Sequence, residues 1–452
     1  MELFGTAGVR GGVDRVRPEL AVRVGRAAAR AADGAAFVVG RDGRTTGDGL
    51  AAAVTAGLTA GGADVRRVGV VPTPALAFAS RGRHGAMVTA SHNPPGDNGL
   101  KLFADGVEYD AAREERVTAA VEDDAQADWA AWGTVGRERP LDDYCAGVVD
   151  YARRHGAALD GLRTVVDCGN GVAAGATPRV LRELGARAVA LNANVDGHFP
   201  GRASKPTRES LADLRAFLAD DDEAALGIAH DGDADRIVVL DGDGAVVDRN
   251  TVLAILAEHY VRANDAADPV VVTTPDASTR IDERVAAAGG RVERVRLGAI
   301  HEGVAASDGT VVFAAEPWKH LHPAWGGWID GVASAAVFAR LVAASGLVAL
   351  REPVAERPYR KLSVDCPDDR TERVMADLRE RLPEAFPEAE ATFDHGIRLD
   401  RPDGSWVLVR PSGTEPKVRV YVESEEIEAL AERATAQVAE AVDRTGGSRD
   451  QE

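Results

Sequence analysis

The sequence predicts an α/β protein made of three related α/β units and a smaller α+β unit at its C-terminal end. Its 452 residues exceed the length that one hydrophobic core usually serves, so several domains are expected. Three stretches of the chain repeat one order of apolar strands and helical segments, an alternation typical of mainly parallel sheets covered by helices. The remaining C-terminal stretch has the alternating apolar and polar positions of half-buried strands.

Each α/β unit contains three predicted apolar strands. They are predicted at 37–42, 65–71 and 85–91 in the first unit, at 163–168, 187–192 and 226–231 in the second, and at 269–275, 291–297 and 310–317 in the third. The last strand of each unit runs into an unusual polar loop, which reads SHNPPGDNG, DGDADR and EPWKHLHP in turn. Ligands bind beyond the carboxyl ends of strands in open α/β sheets, so we expect the three loops to meet at one cleft.

The region from about 355 onwards has a different pattern. Its segment GIRLDRPDGSWVLVRPSGTEPKVRVYVES predicts two alternating strands around a turn, and a helix is predicted from about 425 to 442. This pattern indicates a small α+β domain. The predicted domains are 1–150, 151–250, 251–352 and 353–452.

The chain is acidic and poor in lysine. Asp and Glu number 72 against 53 Lys and Arg, which gives a net charge of −19. Nucleic-acid binding is disfavoured, because phosphate backbones need a basic face. An acidic, lysine-poor surface is also typical of salt-adapted proteins, in which high salt screens self-repulsion, so we hypothesise a halophilic source.

The sequence has no features of a membrane or secreted protein. It has no apolar run of 18 residues or more and no visible signal peptide. Its three cysteines, Cys145, Cys168 and Cys366, are far apart and form neither a metal-binding spacing nor a disulfide framework. These features predict a cytoplasmic protein with no membrane partner.

Ser91 and His92 stand at the tip of a predicted buried strand. A hydroxyl in that position is well placed for nucleophilic attack or for carrying a phosphoryl group. Pro94 and Pro95 restrict the backbone and would hold the hydroxyl in a fixed direction. An ordinary Ser/Asn turn into a hairpin is the alternative interpretation.

Asp231, Asp233 and Asp235 place three carboxylates at alternate positions between two apolar strands. In an extended loop they can converge on one cation, and hard oxygen ligands suit Mg²⁺ or Ca²⁺. A calcium EF-hand is excluded, because Arg236 occupies the position of its glycine and Gly242 that of its bidentate glutamate. A haloacid-dehalogenase-type site and a turn of solvated aspartates are the alternatives.

The segment DCGNGVAAG formally matches the G-x-G-x-x-A dinucleotide fingerprint through Gly169, Gly171 and Ala174. The second strand of this unit, however, ends at Asn192 rather than at an acidic residue that could bind a ribose. A tight turn from strand to helix is therefore favoured over NAD binding.

The third loop carries Glu316 and His320 together with Trp318, Trp325 and Trp328. Carboxylates and histidines hydrogen-bond sugar hydroxyls, and tryptophan faces stack on sugar rings. A cluster of tryptophans in the core or at an interface is the alternative interpretation.

A turn near the C-terminus has the composition of a phosphate-binding site. Its hydroxyl groups, backbone N–H groups and nearby cations come from Arg410, Ser412, Gly413, Thr414 and Arg419. An ordinary hairpin turn explains the same residues equally well.

Taken together, FGTAGVRG, TASHNPPGDNGLK, DGDADR and RPSGTEPKVRVY resemble, in this order, the motifs of the α-D-phosphohexomutase superfamily. The resemblance covers nearly the whole chain. It implies three related α/β domains with mixed sheets plus a smaller α+β C-terminal domain around a central cleft. It also implies a mutase that moves a phosphoryl group between C1 and C6 of a hexose phosphate, with a hexose 1,6-bisphosphate as the priming intermediate.

The resemblance also implies a role for each matching residue. Ser91 would bear the phosphoryl group and, with Asp231, Asp233 and Asp235, would bind Mg²⁺. Arg10 and Lys101 would neutralise the group in transfer, and His92 would assist proton movement. Substrate binding would fall to the following residues: Arg236, Glu316, His320, Arg410, Ser412, Gly413, Thr414 and Arg419.

The sugar-recognition loop departs from the family pattern. The family usually has Glu-x-Ser-Gly-His, whereas Trp318 and Lys319 replace the Ser and Gly here. The sugar is therefore left open among glucose, mannose, glucosamine and pentose phosphates, with phosphoglucosamine mutase and phosphopentomutase as alternatives. A metal-dependent sugar phosphatase and a non-catalytic sugar-phosphate-binding protein are further alternatives. The sequence is compatible with a monomer or a dimer.

Overall fold

The first unit folds into a seven-stranded mixed sheet with helices on its faces. The computed structural model describes residues 3–4, 8–413 and 415–446. The elements of this unit are β1 (Val9–Gly12), α1 (Pro18–Ala31), β2 (Phe37–Arg41), α2 (Gly47–Ala60), β3 (Val65–Val70), α3 (Thr73–Ala79), β4 (His84–Val88), β5 (Asp97–Ala104), β6 (Val107–Glu108), α4 (Ala111–Asp123) and β7 (Val135–Arg137), with a short 3-10 helix at Trp129–Ala131. The strand order is β1-β5-β4-β2-β3-β7, and β6 pairs with β5.

The second and third units form four-stranded sheets. The second contains α5 (Leu141–Ala152), β8 (Arg163–Asp167), a 3-10 helix at Val172–Gly175, α6 (Thr177–Glu183), β9 (Arg187–Leu191), α7 (Ala212–Ala219), β10 (Ala224–Ala229) and β11 (Val238–Asp241). The third contains α8 (Arg249–Arg262), β12 (Pro269–Thr273), α9 (Thr279–Ala287), β13 (Arg291–Arg294), α10 (Ile300–Ala306), β14 (Thr310–Glu316), β15 (Lys319–Leu321), α11 (Gly331–Ser345) and α12 (Leu347–Arg351).

The three units share one strand order. It reads β3-β2-β4-β5 in the first unit, β9-β8-β10-β11 in the second and β13-β12-β14-β15 in the third. In each, three parallel strands are followed by one antiparallel strand. The three polar loops of the sequence are the connections into these antiparallel strands. This common order confirms the predicted fold class of related α/β units with mixed sheets.

The fourth unit is built on an antiparallel sheet. It contains β16 (Tyr359–Asp365), α13 (Asp368–Ala385), β17 (Glu390–Thr392), β18 (Ile397–Asp400), β19 (Trp406–Pro411), β20 (Lys417–Glu423) and α14 (Ile427–Gly446), with the sheet order β16-β20-β19-β18-β17. One sheet face, with Val407, Val409 and Val420, packs with Leu378 and Val438 of the two helices. The predicted α+β class is confirmed, although the segment predicted as two strands contains three, β18, β19 and β20, and β16, α13 and β17 were not foreseen.

The tryptophans of the third loop are mostly structural. Trp325 and Trp328 pack against Phe78, with ring centroids 5.6 and 6.2 Å from its ring. Both indole N–H groups donate to Oδ2 of buried Asp330. These contacts join the third unit to the first and give the two rings a packing role instead of stacking on a sugar, which was one of the two interpretations of the sequence. In the part of the chain that the structure describes, no helix has the length and apolar character needed to cross a membrane.

Candidate active site

Ser91 lies fully buried where the first polar loop leaves β4. Its Oγ donates a hydrogen bond of 2.6 Å to Oδ2 of Asp231 and lies 3.3 Å from Nδ1 of His92. Its φ is +52°, a left-handed conformation that costs a residue with a side chain on the order of 1 kcal/mol. The surrounding contacts therefore hold the Ser91 hydroxyl in a strained position, facing a carboxylate 140 residues away in the sequence.

Arg44, which sequence reasoning missed, holds the Ser91 loop in place. Its guanidinium is buried and donates to the backbone carbonyl groups of Ser91, Asn93, Pro94 and Asp97 at 2.5–2.9 Å. In the sequence, Arg44 is one of several charged residues at the end of FVVGRDGR, and nothing there indicates its carbonyl partners.

Asp42 completes this arrangement. Nε of Arg44 is 3.0 Å from Oδ2 of Asp42, and the same oxygen accepts the hydroxyl of Thr89 at 2.7 Å. The Thr89 hydroxyl in turn accepts the backbone N–H of Ser91 at 2.8 Å. Burial raises the pKa of Asp42 to about 6 even though Arg44 lowers it. The ionised form of Asp42 is therefore stabilised by the guanidinium group of Arg44.

The three aspartates of the second polar loop converge beside Ser91. Asp231, Asp233 and Asp235 are buried, and one ligand atom from each lies within 4.8 Å of those of the others. The loop contains Ala234 at φ +62°, and this left-handed residue lies between the second and third aspartates. The carboxylates thus form a cluster rather than the solvated turn that was one alternative.

Two side chains of the first unit bind this cluster. Nζ of Lys101 donates to Oδ2 of Asp233 at 3.1 Å and to Oδ2 of Asp235 at 2.8 Å. The Thr73 hydroxyl, at the start of α3, donates to Oδ2 of Asp233 at 2.7 Å. Both contacts hold the second polar loop against the first unit, so side chains of both domains build the site.

The charges in the cluster are strongly coupled. Burial, together with Asp235 and Asp233, raises the pKa of Asp231 well above its ordinary value. Burial also opposes ionisation of Asp233 and Asp235, but Lys101, with Thr73 and Arg10 for Asp233 and with Lys319 and Arg236 for Asp235, holds the pKa of both below the ordinary value. The raised pKa of Asp231 reflects burial and repulsion among the three carboxylates, and a divalent cation would relieve that repulsion.

The cluster fits a hard cation. Oδ1 of Asp233 and Oδ1 of Asp235 are buried and have no hydrogen-bond partner among the described residues. Unpaired buried carboxylate oxygens are costly unless they bind a charge, and oxygen ligands are those that Mg²⁺ prefers. Asp231, Asp233 and Asp235, with the Ser91 oxygen beside them, could hold Mg²⁺.

His92 lies beside the Ser91 hydroxyl, and Arg10 and Arg236 are close enough to affect its charge. Burial, Arg236 and Arg10 lower the pKa of His92 to about 3, so its imidazole is neutral near pH 7. Nε and Nη2 of Arg10 are buried without a hydrogen-bond partner in the described chain. Nε of Arg236 lies 3.6 Å from Oδ2 of Asp231 and 3.7 Å from Oδ1 of Asp235.

Arg202 supports the aspartate loop much as Arg44 supports the Ser91 loop. It pairs with buried Asp167 at 2.8 Å and donates to the carbonyl of His230 at 2.6 Å. Gly169 has a φ of +53°, and a Cβ there would lie 2.6 Å from the Arg202 guanidinium. The DCGNG segment is thus a tight left-handed turn against an arginine, the interpretation favoured over a dinucleotide fingerprint.

Residues of the third polar loop lie in two different places, some at a cavity and some in the protein interior. Glu316 accepts the backbone N–H of Gly298 at 2.8 Å and lines a cavity together with Lys319. His320 instead lies buried, with Nδ1 3.2 Å from the Ser334 hydroxyl, and burial lowers its pKa to about 3. The structure therefore brings Glu316 to the cavity and places His320 in the interior of the third unit.

The C-terminal turn carries a group of cations. Arg410 and Arg419 are paired across β19 and β20, so they share one face of the sheet with Lys361, whose partner is Tyr421. Arg249 stacks 4.4 Å from the ring of Tyr359 on the same face. Sequence reasoning missed both residues, because strand pairing brings Lys361 to this group and packing of α8 against Tyr359 brings Arg249.

The turn itself is separate from the Ser91 cluster. Ser412 donates its backbone N–H to the carbonyl of Lys417 at 2.8 Å, and Gly413 follows it, while Thr414 lies outside the described residues. Arg419 donates to the Ser363 hydroxyl and pairs with Glu415. No hydrogen bond or ion pair joins the described part of this turn to Ser91 or the three aspartates.

Comparisons with known proteins agree with this architecture. The family models of phosphoglucomutase/phosphomannomutase match domain I at residues 1–128, domain II at 142–244, domain III at 248–359 and the C-terminal domain at 367–441. The chain is 40% identical over 435 residues to "Phosphopentomutase" of Thermococcus kodakarensis, covering 94% of each chain. It is 41% identical over 441 residues to "Probable phosphoglucosamine mutase" of Methanopyrus kandleri, covering 95% of each.

A solved structure extends the comparison. The crystal structure of a phosphoglucomutase/phosphomannomutase family protein from Burkholderia thailandensis superimposes with a TM-score of 0.86 at 26% identity, covering 99% of this chain and 98% of that one. The fold and the site define a phosphomutase, an intramolecular phosphotransferase of the α-D-phosphohexomutase superfamily. Within that superfamily, this chain belongs to the phosphoglucomutase/phosphomannomutase family.

Proposed function

We propose that this protein moves a phosphoryl group between the C1 and C6 oxygens of a hexose phosphate through a phosphoserine at Ser91. The observation that carries the proposal is the 2.6 Å contact between Oγ of Ser91 and the aspartate cluster, which is paired with Lys101 and also feels the charge of Arg10. Buried, preorganised charges of this kind are what phosphoryl transfer requires, because positioning and electrostatics supply most of its catalysis.

In the proposed reaction, the bond between phosphorus and Oγ of Ser91 breaks as a new bond forms to a free sugar hydroxyl. The sugar hydroxyl loses its proton as the Ser91 oxygen takes one up, and His92, with Nδ1 3.3 Å from Oγ, lies close enough to assist this proton movement. The resulting hexose 1,6-bisphosphate turns over in the cleft, and its other phosphoryl group returns to Ser91. The cations of Arg410 and Arg419 are suited to hold the phosphate that is not being transferred.

Mg²⁺ is the proposed cofactor, held by Asp231, Asp233, Asp235 and the phosphoserine. When bound, the ion supplies charge neutralisation between the phosphate and the three carboxylates. Lys101 binds Oδ2 of Asp233 and Oδ2 of Asp235, at 3.1 and 2.8 Å, and so helps to keep both carboxylates ionised and in place.

Asp233→Asn is expected to lower kcat by on the order of 10²–10³-fold, the range for removing one preorganised charge from an active site. It is also expected to weaken Mg²⁺ binding, since an amide is a poorer ligand for a hard cation. Isothermal titration with Mg²⁺ and a coupled mutase assay would measure the two effects. Asp150→Asn, on the exposed face of α5, is the matched control; an Asp233→Asn variant with normal Mg²⁺ affinity would contradict the assignment.

The cavity beside the cleft favours an amino sugar as the substrate. Five of its lining residues are acidic (Glu108, Asp110, Glu114, Glu302 and Glu316) and two carry a positive charge, Arg296 and Lys319. Burial and the neighbouring carboxylates raise the pKa of Glu114 to about 7, a sign of concentrated negative charge that an ammonium group would relieve. The relative from Methanopyrus kandleri bears the name of a phosphoglucosamine mutase and that from Thermococcus kodakarensis the name of a phosphopentomutase, so the choice rests on the charge of the cavity.

A coupled assay across glucosamine, glucose, mannose and ribose 1-phosphates tests this choice. We expect the highest kcat/KM for glucosamine 1-phosphate, and we expect Glu316→Gln to lower that value more than the value for glucose 1-phosphate. A higher kcat/KM for a neutral sugar phosphate would contradict the amino-sugar assignment. Conversion of none of the four would contradict the proposed function itself.

The two rival functions predict different products. A phosphatase that uses Ser91 would release inorganic phosphate at the rate at which the substrate disappears. A non-catalytic binding protein would never carry a phosphate on Ser91, and intact-mass analysis would detect its absence. A mutase instead shows isomerised sugar phosphate, little free phosphate and about one phosphate per chain.

The acidic composition supports the further proposal that the enzyme works at high salt. The net charge of −19 makes self-repulsion strong in dilute buffer, and dissolved ions screen it. We expect the melting temperature and activity to rise with KCl concentration. Full stability in dilute buffer would contradict this proposal.

A further inference from the structure

Lys319 is the residue of the third polar loop that the proposed function leaves unexplained. It is the first residue of β15, opposite Glu316 in the register. Its side chain carries a positive charge, and the structure shows where that charge lies.

The ammonium group of Lys319 lies against the aspartate cluster. Its Nζ is 3.8 Å from Oδ2 of Asp235, and the side chain is 12% exposed. This long ion pair is the only polar contact of the ammonium within the described residues, although an ammonium has three hydrogens to donate. A mostly buried ammonium with unused donors is suited to bind an oxygen-rich ligand.

Lys319 also lies where the cluster meets the sugar cavity. It lines the cavity together with Glu316 and His301. The ammonium therefore lies between two groups that a reacting sugar phosphate would contact, the aspartate cluster beside Ser91 and the cavity.

The other cations at this point differ in their free donors. Lys101 is fully buried and donates to Asp233 and Asp235. Nε of Arg236 lies 3.6 and 3.7 Å from Asp231 and Asp235 and, like Nε and Nη2 of Arg10, is buried without a hydrogen-bond partner among the described residues. Lys319 is the cation that the third unit adds to these, and it alone of the four lines the cavity.

We propose that Lys319 is a catalytic residue that binds the oxygens of the phosphoryl group during its transfer between Ser91 and the sugar. The proposal rests on the proposed function. As the group is transferred, negative charge is spread over its three equatorial oxygens, and a fixed cation beside them stabilises that charge. Lys319 stays protonated throughout and exchanges no proton with the substrate.

Kinetics of three variants test the proposal with the sugar phosphate that the wild-type protein converts fastest. Lys319→Met removes the charge and keeps the length of the side chain, Lys319→Arg keeps the charge, and Lys205→Met, at an exposed lysine, is the matched control. For Lys319→Met we expect kcat to fall on the order of 10²-fold with KM changed less than about threefold. The single-turnover rate of transfer from phospho-Ser91 should fall by the same factor, and Lys319→Arg should recover most of it.

A structural role for Lys319 predicts other results. If Lys319 only neutralises the charge of Asp235, its loss changes the affinity for Mg²⁺, and saturating Mg²⁺ restores the single-turnover rate. That outcome overturns the proposal. A single-turnover rate of Lys319→Met equal to that of the wild type also overturns it. Should Lys319→Met fail to fold, Lys319→Gln is measured in its place, against the same two outcomes. An active wild type with an unaffected variant contradicts this proposal alone, whereas an inactive wild type contradicts the proposed function.

Discussion

Replacing Ser91 by alanine is expected to lower the mutase kcat by on the order of 10⁴-fold or more, the scale seen when an enzyme loses its nucleophile. The variant retains the aspartate cluster and its cations but has no oxygen to carry the phosphoryl group. The fold should persist, because the mutation removes chiefly one hydrogen bond to Asp231, worth on the order of 1 kcal/mol. A coupled assay, thermal unfolding and intact-mass analysis would measure these effects.

Two further variants separate chemistry from backbone strain. Ser91→Gly also lacks the hydroxyl, but glycine adopts φ +52° without strain, so we expect it to be as inactive as Ser91→Ala and slightly more stable. Ser345→Ala, at an exposed position near the end of α11, is the matched control and should keep full activity. A phosphorylated, active Ser91→Ala protein would contradict the role of Ser91.

Replacing Arg44 by leucine is expected to lower the free energy of unfolding by about 3–5 kcal/mol, the cost of breaking a buried ion pair from one side. Asp42 would be left buried with no cation, and four carbonyl groups between Ser91 and Asp97 would lose their donor. The Ser91 loop would then lose the contacts that hold it in its strained conformation. Urea unfolding gives the stability, and the mutase assay gives the loss of kcat.

Arg44→Lys distinguishes positioning from stability. Lysine keeps the charge beside Asp42 but cannot reach four carbonyl groups at once, because it lacks the planar array of five donors. We expect this variant to recover much of the stability while kcat stays well below that of the wild type. Arg153→Leu, in an exposed pair with Asp150, should change neither property. An Arg44→Lys protein with normal kcat would show that the carbonyl contacts do not position Ser91.

Local sequence patterns were sufficient to predict the strands that lead to the site. β4, β10 and β14 are short apolar runs that end in polar residues, and each begins and ends within a few residues of the predicted strand. Strand β5 was missed, because its polar start, DNGLK, was interpreted as part of the loop. In the structure this strand pairs with β1 and β4 and carries Lys101 into the cluster. Pairing with two neighbours outweighs the weak strand propensity of Asp, Asn and Gly.

Motif order was also sufficient to assign the family and to name Ser91 and the three aspartates as candidates. It could not assign the neighbours that orient them. Arg44 is near Asp42 in the sequence, yet its four carbonyl partners are about 50 residues away. Nothing in the loop EPWKH indicated that His320 would be buried and that Lys319 would reach Asp235.

The sequence by itself determined the class of fold, the repeated succession of strands and helices along the α/β units and the residues able to carry phosphate or a cation. These properties depend on local composition and periodicity, which neighbouring residues specify. Only the tertiary structure decided which side chains share the cleft, which are buried beneath it and which arginines fix its loops. The physical reason is that burial and charge pairing depend on distances in space between residues far apart in the chain, and no local pattern records those distances.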